Sequence, residues 1–528
     1  MEYLQKLPLG IQDFKKLREE NFLYVDKTDL IHELITSHSA VFLSRPRRFG
    51  KSLLLSTINY YFQGKKELFR QLFIEKLEQQ NNEPWAEYPV LYFDFNGQNY
   101  SIQGGLNDII ENHLKAWEEQ YACKDIAATC AVRFENVIKA AYEKSGRRVV
   151  VLVDEYDKPL LETMISQPDA EEQNRDIFKG VFGVLKKMDA YLRFCMFTGV
   201  TKFSKVSIFS DLNQLTDISL TKKYNGICGI SQKELERDFG SYIKRLADYN
   251  KISDEETLSK LKTMYDGHHF CTQGDDIYNP FSLFHAFDEN DFGSYWFESG
   301  TPGFLVKKIK EINFNPQKFS DKSLFATKRI LNDYNSENPD PVPLLYQSGY
   351  LTIKDYDEKY ESYCLAYPNA EVKYGFVESL APEYLYKTEA GPLDIRSFGL
   401  DIDKCDIESF MNRLKALFAS LPYTSSNSSQ DSVFEQNFQN VIYIIFTLLG
   451  KYTRTEVHSA RGRADCIMET VNYIYIFEFK RDSTAAQAIA QINKQNYATP
   501  YSADHRKILK LGVNFSSKER NITEWSVE

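Results

Sequence analysis

Apolar residues in the first two hundred positions fall into short unbroken runs separated by longer stretches of helical spacing. AVFLS (40–44), PVLYFDFNG (89–97), RRVVVLVDEYDKPL (147–160) and YLRFCMFTGVTKF (191–203) each carry a strand-length run rich in β-branched and aromatic residues. The valines of the third run predict burial on both faces, as in a parallel sheet. Between the runs, SLLLSTINYYFQ and the stretch from about Ile102 to Lys144 have helical periodicity. Strand and helix therefore alternate, which predicts a layered α/β core.

From about 230 to 300 the pattern shortens and becomes more helical, with GHHF and YNPFSLFHAF marking turns. Residues 301–420 are less regular, apart from a hairpin pattern around SGYLTI and SYCLAYP. LPYTSSNSSQDS (421–432) is polar and without periodicity, which predicts a loop or hinge. The helix-like FEQNFQNVIYIIFTLLG follows. Then come strands around TEVHS, ADCIMET and YIYIFEFK, a helix from about Ser483 to Lys494, and the strand KILKLGVNFS. The expected layout is an α/β domain over 1–230, a helical lid or associated region over 231–300, a connecting region over 301–424, and a small second α/β domain over 425–528. No internal repeat is present.

Composition narrows the class. A chain of 528 residues, 43% hydrophobic and 26% charged, is long enough for two or more domains with substantial cores. The net charge of -10 opposes bulk attraction to nucleic acid, although 64 Lys and Arg leave room for a local basic surface. Eight cysteines, at 123, 130, 195, 228, 271, 364, 405 and 466, have no metal-knuckle spacing and read as reduced thiols. Without a leader-like N-terminus or a membrane-length apolar run, the expected location is cytoplasmic.

RPRRFGKS lies between the first strand and the following helix. Gly50, Lys51 and Ser52 give the turn, charge and hydroxyl of a phosphate loop, whose backbone N–H groups and helix terminus face an anion. Arg45 occupies the position where that pattern begins with glycine, so an ordinary basic strand-to-helix turn is the competing reading. The third strand adds weight to a nucleotide site. It ends in Asp154, placed to orient Mg²⁺, and Glu155, placed to orient an attacking water; as a surface turn, these acids and Asp157 would only cap the next helix. Thr198 and Thr201 end the fourth strand, from which a hydroxyl can sense a γ-phosphate. Arg47 and Arg48 either touch phosphate or lie in solvent.

Near the C-terminus, alternation along a strand puts Glu478 and Lys480 on one side and Phe479 on the other. If the strand bearing Asp465 lies alongside, two carboxylates and an ammonium meet around one oxygen-preferring ion, Mg²⁺ or Mn²⁺, as phosphodiester cleavage requires. The same three residues also read as a solvated edge strand with an E-x-K salt bridge. Against that, charges interrupting so apolar a strand need partners or a metal.

LPLGIQDFKKLREENFLYVDKTDLI, FLSRPRRFGKSLLLSTINYYF, VVVLVDEYDKPL and FTGVTKFSK together resemble the bacterial AAA-ATPase-like family that carries a fused nuclease-like domain, over most of residues 5–290. The resemblance implies a P-loop NTPase-like parallel sheet and points to Lys51, Ser52, Asp154 and Glu155; with the residue reading above, the expected set is Arg45, Arg47, Arg48, Gly50, Lys51, Ser52, Asp154 and Thr198 binding ATP, Ser52 and Asp154 on Mg²⁺, and Glu155 catalytic. The order of Glu435 on a helix, Asp465, then Glu478 and Lys480 on strands, and Gln491 on a helix resembles the PD-(D/E)xK nuclease superfamily over about 434–515. That implies a restriction-endonuclease-like domain in which Asp465, Glu478 and Glu435 bind metal, Lys480 assists the water, and Gln491 and Tyr497 support the site. GRAD replaces the usual proline before Asp465 with Ala464.

The expected protein binds and hydrolyses ATP and cleaves nucleic acid, DNA in preference, with ATP controlling the nuclease. Oligomerisation is left open, and no membrane partner is expected. The alternative is a non-cleaving, ATP-responsive nucleic-acid-binding or signalling protein. Arg454, Arg461, Arg463, Lys480, Arg481 and Lys494 either contact a phosphate backbone or balance local carboxylates. His268 and His269 lack zinc-site spacing and read as structural or surface residues.

Overall fold

The computed structural model describes residues 4–80, 85–102, 104–123, 129–202, 215–299, 305–306, 309–310, 312, 314–320, 323–332, 340–385, 394–421, 430–451, 454–457 and 465–528, the side chains at 165–166, 168, 298–299, 430–436 and 454–457 excepted. The chain divides into two compact units, one formed by Met1–Trp296 with Phe325–Glu371, the other by Phe297–Leu324 with Val372–Glu528.

In the first unit β1 (Ala40–Ser44), β2 (Val90–Asp94), β3 (Val149–Asp154), β4 (Leu192–Gly199) and β5 (Thr216–Asp217) form one sheet in the order β2-β3-β4-β1-β5. Every pairing is parallel. Strand β4 thus lies between the phosphate-loop strand and the acidic strand, so all three deliver their C-terminal ends to the same edge. Burial on both faces explains the apolar runs. Val150 and Leu152 pack with Leu54, Leu55 and Ile58 of the Lys51–Phe62 helix. Phe93 packs edge-on against Trp117, Phe134 and Phe182. The single helical stretch expected over 102–144 is two helices, Gly105–Tyr121 and Cys130–Ser145.

Helices Gln232–Asp238, Gly240–Asn250, Asp254–Tyr265 and Pro280–Glu289 gather around a second core that includes Phe239, Leu246, Leu261 and Phe287. Beside them β6 (Ile230–Ser231) pairs antiparallel with β7 (Ile277–Tyr278). In the later segment, β8 (Leu324–Thr327), β9 (Thr352–Asp357) and β10 (Ser362–Ala366) form a small sheet in the order β8-β10-β9. The expected hairpin is β9–β10, antiparallel.

The second unit carries a mixed sheet of β11 (Arg454–Val457), β12 (Cys466–Glu469), β13 (Tyr473–Arg481), β14 (Lys507–Ser516) and β15 (Asn521–Val527), in that order. Only β13 and β14 pair in parallel. Alternation along β13 separates two layers. Phe477 and Phe479 face Phe446 of the Gln430–Leu449 helix, while Ile474 and Ile476 pack with Ile489 and Ile492 of the Ala485–Lys494 helix. Strand β15 was not expected from its polar-interrupted sequence NITEWSV. Most of the polar stretch 421–432 lies outside the described residues. Among the described residues, no helix is long and apolar enough to cross a membrane.

Candidate active sites

The loop between β1 and the Lys51–Phe62 helix turns through two left-handed residues, Arg48 (φ 69°) and Gly50 (φ 94°). Arg45 is not among the residues of positive φ, so the backbone does not need glycine at the start of this loop. An added Cβ on Gly50 would meet nothing within 4 Å, so backbone conformation alone demands glycine there. Alternating right- and left-handed residues before a helix N-terminus turn successive N–H groups to one side, the geometry that holds anions.

Lys51 is 4% exposed and its ammonium donates to the carbonyls of Arg45 (2.9 Å) and Pro46 (3.0 Å). Burial lowers its pKa, and Glu155, Asp154 and Asp157 pull it back up. Asp154 is buried and accepts from the Thr198 hydroxyl at 2.7 Å. Burial raises the Asp154 pKa, with the Ser52 and Thr198 hydroxyls acting the other way. Glu155 takes a left-handed backbone (φ 50°) just beyond β3, a conformation costing about 1 kcal/mol that is held by its surroundings. Lys51, Ser52, Asp154, Glu155 and Thr198 therefore share one edge of the sheet.

The arginines divide. Arg45 is 1% exposed, and its guanidinium donates to the carbonyls of Ser44 (2.9 Å), Ser219 (2.8 Å) and Tyr224 (3.2 Å) while lying 4.1 Å from the Phe270 ring centroid. Its side chain ties the 219–224 turn to the sheet, and only its backbone serves the loop, through the carbonyl that takes Lys51. Arg47 and Arg48 are exposed, Arg48 lying over Phe281. Asp157, expected at most to cap a helix, makes no side-chain cap bond and instead accepts from the N–H groups of Val200 (3.0 Å) and Thr201 (2.6 Å) and the Thr201 hydroxyl (2.7 Å). A partner more than forty residues away leaves no local signal.

His268 is fully buried, edge-on to Phe49 of the loop at 4.8 Å, and burial lowers its pKa to about 3. It is a structural neutral histidine. His269 meets Asp276 at 3.0 Å.

In the second unit, Cys466 pairs with Phe477, which puts Asp465 across from Glu478. Asp465 accepts from the Phe479 N–H at 2.8 Å, and its pKa is pushed up to about 7 by burial first and by the charge of Glu478 second. Glu478 is 2% exposed; burial raises its pKa, opposed by Lys480. One of its oxygens, Oε1, accepts from Lys480 Nζ (2.9 Å) and from Gln491 Nε2, while Oε2 is buried with no hydrogen-bond partner among the described residues. Tyr497 packs among Ile474, Ile476, Ile489 and Ile492. The structure thus brings Asp465, Glu478, Lys480 and Gln491 together. Glu435 lies on the Gln430–Leu449 helix with its side chain outside the described residues, as is that of Arg454; Arg461 and Arg463 lie outside them entirely.

Among the described residues no group of three or more His, Cys, Asp or Glu is placed to hold a metal ion. The Asp465–Glu478 pair nevertheless fits one. The charge of Glu478 favours a protonated Asp465, a crowding that a cation would relieve, and Glu478 Oε2 offers a lone pair to a hard divalent cation.

Residues 8–209 match the family described as Predicted AAA-ATPase, and residues 433–525 match the PD-(D/E)XK nuclease superfamily. Over 534 residues, covering 99% of each chain, the protein is 34% identical to an uncharacterized protein in the vnfD 5' region of Azotobacter chroococcum mcd 1.

Proposed function

Since the chain belongs to the family in which an AAA-ATPase-like N-terminal domain is fused to a PD-(D/E)XK nuclease-like C-terminal domain, we propose that it binds and hydrolyses ATP and cleaves nucleic acid, DNA in preference, with a divalent ion. The observation that carries the cleavage reading is the meeting of Asp465 and Glu478, with Lys480 Nζ 2.9 Å from Glu478.

In this reading Asp465 and Glu478 hold Mg²⁺ or Mn²⁺, with Glu435 as a further ligand. The ion supplies Lewis-acid polarisation of a phosphoryl oxygen and a more acidic water. Lys480 orients that water and stabilises developing negative charge, while Gln491 fixes the Glu478 carboxylate and Tyr497 supports the packing behind it. At the other site, Gly50 and the N–H groups of its loop cradle phosphate, Lys51 exchanges its carbonyl partners for β- and γ-oxygens, and Ser52 and Asp154 take Mg²⁺. Arg47 and Arg48 meet phosphate from the solvent side. Glu155 orients the attacking water, and Thr198 senses the γ-phosphate through its bond to Asp154.

The decisive experiment incubates intact protein with Mg²⁺ or Mn²⁺ and single- and double-stranded DNA and RNA, with and without ATP, beside D465N and K480A. Metal-dependent cleavage lost in both variants is expected. Binding without cleavage in the wild type would favour the non-cleaving reading. Cleavage unchanged in K480A would refute the assigned roles.

A further inference from the structure

The segment 325–371 belongs to the first unit although it follows the ATPase-like region by more than a hundred residues. It reaches the nucleotide edge through Gln347 and Gly349, among other contacts. Gln347, 4% exposed, uses both ends of its amide: Oε1 accepts from the Lys202 N–H (2.7 Å) and Nε2 donates to the Leu331 carbonyl (2.6 Å). Two residues on, Gly349 has φ 88°, and a Cβ there would lie 2.7 Å from the Pro46 side chain.

These contacts close a circuit around the site. Asp157 holds the backbone after β4 on one side through Val200 and Thr201, and Gln347 holds it on the other through Lys202. The Lys202 ammonium is fixed as well, to Asp217 at 3.1 Å and Asn332 Oδ1 at 2.9 Å. The Arg45 N–H donates to the Gly199 carbonyl at 3.2 Å, and the next residue, Pro46, both meets Gly349 and lends its carbonyl to Lys51. Phosphate loop, sensing strand and return segment therefore share one set of contacts.

We propose that Gln347 and Gly349 are positioning residues for the nucleotide site, Gln347 acting through the backbone that follows Thr198 and Gly349 through Pro46. This rests on the nucleotide reading above and extends it to a part of the chain outside the matched ATPase-like segment. The two residues act on different variables. Gln347 aligns the Thr198–Asp154 pair at the reacting end, so its loss lowers turnover. Gly349 shapes the loop that grips phosphate, so its loss weakens nucleotide binding.

The test uses the intact protein with Mg-ATP and the variants Q347M, Q347E and G349A. Q347M removes the acceptor for a buried N–H, and kcat is expected to fall at least tenfold with KM changed by less than about threefold. Q347E keeps the acceptor but loses the donor to the Leu331 carbonyl, and is expected to recover only part of that loss. G349A is expected to raise KM about tenfold with the smaller effect on kcat. Wild-type kinetics in Q347M and G349A, or losses in both that simply follow a lowered melting temperature, would overturn the proposal. Should Q347M fail to fold, or the wild type bind ATP without turnover, hydrogen exchange decides. Peptides covering 342–352 are expected to gain protection in saturating Mg-ATP, and unchanged exchange overturns the proposal. A wild type that binds no ATP removes the nucleotide reading and this one with it, whereas ATP binding with indifferent variants removes this one alone.

Discussion

Glu371 offers a test in which the sign and size follow from its surroundings. Its carboxylate is 1% exposed and accepts from the Tyr295 (2.7 Å) and Trp296 (2.9 Å) N–H groups. Burial nevertheless raises its pKa from 4.5 to about 7, outweighing those amides and the Ser282 hydroxyl. With the folded pKa above the unfolded one, the native state binds more protons between those values. The Glu371 contribution to stability is therefore most favourable below pH 4.5, declines as pH rises, and reaches its full loss above 7. At about 1.4 kcal/mol per pKa unit, the span amounts to about 3 kcal/mol. E371Q keeps an acceptor for the two N–H groups and has no charge to bury. Urea unfolding of both proteins across this range, followed by tryptophan fluorescence, should show the stability of E371Q relative to wild type growing by that amount and then levelling. A difference independent of pH would refute the reasoning, because it would mean that Glu371 titrates alike in the folded and unfolded chains. The effect bears on the nucleotide site, since the indole N–H of Trp296 donates to the Arg47 carbonyl of the phosphate loop at 3.4 Å.

R45A should destabilise the first unit by about 3 kcal/mol, through buried carbonyls left without a donor and a lost side chain, whereas exposed R47A should stay within about 0.5 kcal/mol of wild type in thermal unfolding. An R45A that melts like wild type and only loses ATP affinity would reverse that assignment. G50A forces alanine to φ 94° in otherwise open space, and calorimetry should find ATP bound about tenfold more weakly, from roughly 1–2 kcal/mol of backbone strain. E155Q should keep ATP affinity and lower turnover about a hundredfold, as measured by phosphate release.

The core of β1, β3 and β4 was legible because buried parallel strands leave unbroken apolar runs, and because the phosphate-loop and acidic motifs mark the C-terminal ends of β1 and β3. Glu478 and Lys480 were legible for a related reason, since period-two alternation fixes their common side whatever the neighbouring strand does. Arg45 was not. An arginine at the head of a phosphate loop looks like a phosphate ligand in sequence, and only folding brings the carbonyls of Ser219 and Tyr224 to it. Asp157 and Gln347 were obscured likewise, their partners being 43 and 145 residues distant. The helical spacing of 102–144 concealed a break because both helices bury the same kind of face. NITEWSV escaped because β15 is an edge strand that pairs, among the described residues, with β14 alone and alternates buried with exposed residues weakly.

The charge balance at the nucleotide edge leads to a final expectation. The Lys51 ammonium feels three carboxylates, Glu155, Asp154 and Asp157, and Arg45, at the head of the same loop, is occupied in the core. Exposed Arg47 and Arg48 are screened by solvent and offset these acids only in part. The acids therefore weaken the attraction of this edge for a polyanion, and on the proposed function a divalent cation shared by Ser52 and Asp154 would restore it. ATP affinity measured by calorimetry should consequently fall at least tenfold when Mg²⁺ is replaced by EDTA, and D154N, which removes one buried charge, should narrow that gap by improving metal-free binding. Equal affinity with and without Mg²⁺ in the wild type would mean that the acids are neutralised in some other way, and that Lys51 alone governs the phosphate.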